Sequence, residues 1–135
     1  MNAQHSSTRA WVAVVVIAHL IVSLVHGMAH TEAQIPMSAA ANMFVFVVIL
    51  AGPLVGLSLL WWFERLASGL IAATLAASFL FGIVNHFLLA SPDHVAHVAT
   101  QVRPLFTVTA ALLAITEGLG AVLALRLVRR RIEIS

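Results

Sequence analysis

Four stretches of this chain are long and apolar enough to cross a membrane, and they decide most of what it can fold into. They run over about residues 10–29, 39–63, 67–90 and 104–127. A spanning helix needs roughly 20 mostly apolar residues. Hydrocarbon offers no partner for backbone N–H and C=O groups, so each run has to satisfy its own, and a helix does that. The balance of residue types agrees: 61% are hydrophobic and 9% charged, against roughly a quarter charged in soluble domains. The expected fold is an all-α bundle of four transmembrane helices forming one integral membrane domain, residues 1–135.

The punctuation between the runs is local chemistry. Residues Thr31 to Ser38 read as a loop around Pro36. Gly52-Pro53 interrupts the second run; proline removes one donor and crowds the preceding turn, which predicts a kink and a freed carbonyl at Ile49. Glu64-Arg65 reads as a tight turn. Ser91-Pro92 reads as a cap and first helical position, opening a short interfacial helix over about residues 92–101. The first run could be a signal peptide, but its length favours a spanning helix over a signal core.

Arginine sets the expected orientation. Arg9, Arg65, Arg126, Arg129, Arg130 and Arg131 fall on one side of the four runs, and Arg103 on the other. The positive-inside rule then places the N and C termini in the cytoplasm. Trp11, Trp61 and Trp62 fall at the same boundary, as interfacial anchors do. Small residues four apart offer faces for close helix contact: Ala72 with Ala76, Ala73 with Ala77, and Ala110, Ala114 and Gly118. The partner this chain requires is a lipid bilayer; a larger membrane protein complex or a homo-oligomer is a further expectation.

Several chemistries are excluded. There is no cysteine, which removes disulfides, thiolate metal sites and Cys nucleophiles. No basic patch interleaved with aromatics exists for nucleic acid. No nucleophile–base pair suggests a hydrolase, so the chain is not expected to be an enzyme by itself.

With this topology, polar residues gather at the outer end. His26 and His30 close the first run, Asn85 and His86 the third, and Asp93, His94 and His97 follow in the outer loop. A hydrocarbon-facing helix has no use for a row of imidazoles. His26 and His30 are four apart, so both can reach one ion from one helical turn; His94 and His97, three apart, could do the same on a helix. The candidate ligands are His26, His30 and His86, then His94 and His97. Glu32, Asn85 or Asp93 could orient a ligand ring through its other nitrogen. Imidazole suits copper, zinc, iron and nickel, and thioethers at Met28, Met37 and Met43 lean the expectation toward copper. Each residue also has an ordinary reading, as a boundary histidine bonding a carbonyl or a methionine that only packs.

His19 shares a helical face with His26 and His30, all within about 40°. Glu117 lies at similar depth on the fourth run, so His19 and Glu117 form a candidate mid-membrane polar pair, either a proton relay or a structural hydrogen bond. Thr107, Thr109 and Thr116 are expected to bond carbonyls of their own helix.

Three functions follow. The first is a transition-metal site at the outer face, copper ahead of zinc or iron, for metal binding or redox support. The second is a b-type haem electron carrier, with His86 opposite His26 or His30. The third is a metal-free accessory subunit of a larger complex.

At His26 to His30 (HxxxH), His86, Ser91-Pro92-Asp93-His94 to His97 (SPDHxxH) and Thr116-Glu117, the chain resembles a group of small uncharacterised bacterial four-helix integral membrane proteins. The resemblance implies the fold and a multi-pass location in the bacterial inner membrane, and nothing about chemistry.

Overall fold

A computed structural model describes the backbone of residues 3–132 and the side chains of residues 6–129. Arg130 and Arg131 of the arginine cluster lie outside the described side chains. Helix α1 spans Ala3–Glu32, α2 Ala39–Leu59, α3 Glu64–Leu88 and α4 Arg103–Ile132. No strand occurs among the described residues. All four helices are long and apolar enough to cross a membrane, the pattern of a multi-pass membrane protein.

Helix α2 is not uniform. It is α-helical over Ala39–Phe44, π-helical over Val45–Ala51 and α-helical again over Gly52–Leu59. Ser38 caps its start, accepting from the Ala41 N–H at 3.1 Å. The π segment ends at Ala51, one residue short of Pro53, whose missing donor shifts the hydrogen-bond register. The Ile49 carbonyl predicted to be freed there accepts the Nε2–H of His19 at 3.0 Å.

Two boundaries differ from expectation. The tight turn is formed by residues 60–63, and Glu64 and Arg65 open α3 instead of making it. Glu64 stands in the first turn, where the helix dipole favours an anion, and lies 3.6 Å from Arg9. That ion pair ties the starts of α1 and α3 at one end of the bundle. Residues 92–101 are a chain of turns and not an interfacial helix. The backbone there bonds elsewhere: the Val95 N–H donates to the His86 carbonyl at 3.0 Å, and the Ser91 carbonyl accepts from the His94 N–H at 3.1 Å. The Ser91 hydroxyl caps nothing.

Helix α4 is the central element, packing along both α1 and α3, while α2 leans mainly on α3. Only 11% of the apolar window of α2 is buried, against 33–39% for the others, so α2 is the peripheral helix. The main apolar core, with Val12, Val16, Leu60, Ile71, Leu75 and Leu127, fills the Arg9–Glu64 end. Close approach there depends on glycine: a Cβ at Gly120 would lie 2.5 Å from Leu75 Cδ1. A smaller cluster of Ala29, Val98 and Phe106 closes the opposite end. Ala72 and Ala110 face inward as the small-residue pattern suggested, but Ala73 and Ala76 are exposed. Trp11, Trp61 and Trp62 are exposed beside the ion-paired end. Between the two apolar clusters the interior is polar, and the candidate site lies there.

Candidate metal centre

Helices α1 and α3 run parallel, so the last turns of both meet at the end opposite the Arg9–Glu64 pair. His26 comes from α1 and is 6% exposed; His86 comes from the π-helical last turn of α3 and is 5% exposed. His30, one turn beyond His26, is partly buried. Each of the three offers one ring nitrogen, and these nitrogens lie within 4.8 Å of one another. This buried triad could hold a metal ion.

The rings are held by their surroundings. His26 Nε2 faces His86 Nε2 at 3.2 Å. His26 Nδ1 lies 2.8 Å from Thr109 Oγ1 on α4. The His86 Nδ1–H donates to the Asp93 carbonyl at 3.1 Å, which leaves His86 Nε2 with its lone pair. Asp93 Oδ1 lies 3.3 Å from His86 Nδ1 and 3.2 Å from His30 Nε2, off the line of a full hydrogen bond to either. His30 Nδ1 is buried with no partner. Phe106 of α4 backs all three rings, with centroids 4.7 Å from His26, 4.9 Å from His30 and 5.3 Å from His86.

Among the described residues Asp93 is the carboxylate beside this cluster, and two forces compete on it. Burial alone would raise its pKa. The close approach of His86 Nδ1 and the nearby rings of His30 and His26 outweigh burial, and the carboxyl is held below its ordinary range.

The other expected ligands stand apart. His94 uses both ring nitrogens: Nε2–H donates to the Phe87 carbonyl at 3.2 Å, and Nδ1 accepts from the Ala96 N–H at 3.1 Å. The His97 Nδ1–H donates to the Ser91 carbonyl at 2.8 Å, and the residue is exposed. Both rings fasten the loop that carries Asp93. Asn85 donates to the Phe81 carbonyl at 2.8 Å within its own helix and orients no histidine. Glu32 is exposed at the end of α1. Met28 and Met43 are 66% and 63% exposed, on the outer surface of their helices, so they supply no thioether to the triad.

A cavity of about 390 Å³ opens beside the triad. His26, His30, His86 and Asp93 line one part of it, Met37 and Asn42 another, and Glu117 is on its wall deeper along α4. Glu117 is 2% exposed, and its Oε1 lies 3.8 Å from Nδ1 of the fully buried His19. The two side chains expected to pair thus lie side by side, farther apart than a hydrogen bond.

Thr109 and Phe106 were not among the residues the sequence singled out for the site. Thr109 does bond its own helix, at 2.8 Å to the Leu105 carbonyl, as a helical threonine was expected to; its second role toward His26 depends on the rotation of α4 against α1. The haem reading gains nothing from this arrangement. The ring of His26 meets those of His30 and His86 edge to face, with centroids 4.9 and 4.8 Å apart.

Neither protein families, nor curated proteins, nor solved structures provide a match to this chain.

Proposed function

We propose that this protein binds one transition-metal ion inside the membrane-embedded bundle, through His26, His30 and His86, with copper ahead of zinc. The observation that carries the reading is the buried three-histidine group itself. Titratable side chains at membrane depth are costly and gather where they have a ligand, a cavity or one another. Three neutral imidazoles suit copper and zinc. Three protein ligands with a cavity beside them match sites that keep a further coordination position open. Met37, the methionine on the cavity wall, supports copper, because a thioether is a soft donor.

The partners of the rings strengthen the case. Histidine ligands commonly give their other N–H to a carboxylate, carbonyl or hydroxyl, which fixes the ring and raises its basicity. Thr109 and the Asp93 carbonyl are positioned to do this for His26 and His86, and the Asp93 carboxylate stands 3.2 Å from His30.

The arginine distribution favours an orientation with both termini cytoplasmic, and the resemblance noted above favours the bacterial inner membrane. The histidine end then faces the outer side, where the site would serve metal binding or redox support.

The test is spectroscopic. Protein equilibrated with Cu(II) and freed of excess should give an electron paramagnetic resonance spectrum with nitrogen hyperfine structure from the imidazoles. His86→Ala should change it, and His97→Ala should not. A spectrum identical in wild type and His86→Ala would refute the assignment.

A further inference from the structure

The pair at the deep wall of the cavity poses its own question. His19 Nε2–H is committed to the Ile49 carbonyl at 3.0 Å, so His19 Nδ1 carries a lone pair. That nitrogen is fully buried and has no hydrogen-bond partner. It faces Glu117 Oε1 at 3.8 Å. A carboxylate oxygen and an imidazole lone pair are both acceptors. Two acceptors facing each other in a low-dielectric interior need a proton between them, and the arrangement with least charge is a neutral carboxylic acid directed at a neutral ring.

Resting on the metal reading above, we propose that His19 and Glu117 form a proton-binding site that exchanges its proton for metal: Glu117 is a neutral acid in the metal-free protein and gives up its proton when a divalent ion enters the triad. The structure connects the two places. Glu117 lines the same cavity as His26, His30 and His86. Between Glu117 and His86 stands Gly82, where a Cβ would lie 3.8 Å from Glu117 Oε2 and 3.9 Å from His86 Cδ2. The bare glycine surface separates acid from ligand without a side chain in the way.

Charge makes the exchange favourable. The ionisable groups lining the cavity, among the described residues, are His26 and His30 from α1, His86 from α3, Asp93 from the outer loop and Glu117 from α4; α2 presents Asn42 and Val45 and no charge. A divalent ion among neutral imidazoles is offset by Asp93 to a net charge of one. Ionising Glu117 brings the cavity to neutrality. The balance is one metal ion in, one O–H bond of the Glu117 carboxyl broken, and one proton released to solvent through the cavity. A monovalent ion such as Cu(I) is neutralised by Asp93 alone and calls for no release.

Two measurements on the full chain in lipid nanodiscs decide this. Infrared difference spectroscopy of metal-free protein should show the carbonyl stretch of a neutral carboxylic acid, sensitive to deuterium exchange and missing in Glu117→Gln. Its absence from wild type would overturn the proposal, whatever metal does. Zn(II) is then added in weak buffer with a pH indicator, and bound zinc is counted. Wild type should release about one proton more per bound zinc than Glu117→Gln. Equal release by two zinc-loaded proteins would overturn the exchange while leaving the metal site standing. Failure of zinc to bind either protein would overturn the exchange as proposed for a divalent ion, and the Cu(II) spectrum decides the metal reading separately.

Discussion

The Nε2 atoms of His26 and His86 face each other across 3.2 Å, and only one of them can carry a proton. His86 is committed, because both neighbours of its Nδ1 are oxygens of Asp93. In the metal-free protein His26 therefore donates Nε2–H to His86. A metal ion needs the other tautomer, with the proton on Nδ1. Thr109 serves either state: its hydroxyl can donate to Nδ1, or accept from Nδ1–H while donating to the Leu105 carbonyl at 2.8 Å. The metal can take the place of a proton here without an acid or base being added.

Thr109 should thus matter without touching metal. Thr109→Val keeps the shape and removes both roles, and metal affinity should fall about 10–100-fold, the range found for partners of metal-bound histidines. Thr109→Ser should restore it. Competition against a chelator of known affinity checks both; equal affinity in all three proteins would remove Thr109 from the account.

Asp93 and His97 lie on the same loop and should behave differently. Asp93→Asn removes the negative charge 3.2–3.3 Å from His30 and His86, and metal affinity should again fall about 10–100-fold. The exposed His97 bonds the Ser91 carbonyl and stands beside the His94 ring, away from the triad, so His97→Ala should change affinity less than about threefold, within the range of a single neutral hydrogen bond. The chelator competition reads both.

Acidification should release the metal. Protons and metal compete for the same imidazole lone pairs, so affinity falls as pH falls. Asp93 adds a contribution of the same sign. Its carboxyl is held below the ordinary range, so the stability it contributes is present above its unfolded value and is lost as pH falls through its folded value. Retained metal measured across a descending pH series should decrease throughout; retention that rises toward acid would contradict three imidazole ligands.

Glycine positions give a test of the packing. A Cβ at Gly120 would meet Leu75 at 2.5 Å and Val15 at 3.3 Å, and one at Gly56 would meet Ile71 at 2.5 Å. Gly120→Ala and Gly56→Ala should each destabilise the bundle by about 1–3 kcal/mol through overpacking. Gly82→Ala meets its neighbours at ordinary contact distances of 3.8 and 3.9 Å and should fold normally. Thermal unfolding in detergent compares the three.

Much of this was legible in the sequence because the relevant signals are local. Four apolar runs specify four spans whatever their neighbours do. The four-residue spacing of His26 and His30 puts both on one face, and Pro53 marks the Ile49 carbonyl as free. What sequence could not show is rotation and depth. Met28 and Met43 were counted at the site because they lie near the right boundary, yet their helices turn them outward. His94 and His97 looked paired on a helix that does not form, since the Val95 and His94 amides bond back to His86 and Ser91. Phe106 and Thr109 reach the triad from α4 more than 70 residues away from His30, and no local pattern announces such a contact.

In the proposed site His26, His30 and His86 together hold a metal ion. Its most direct test is the metal content, by mass spectrometry, of untagged protein purified without chelator, beside the triple variant His26→Ala/His30→Ala/His86→Ala. Near-stoichiometric copper or zinc is expected in wild type and none above background in the variant. A wild type free of metal, or a triple variant that retains it, would contradict the account.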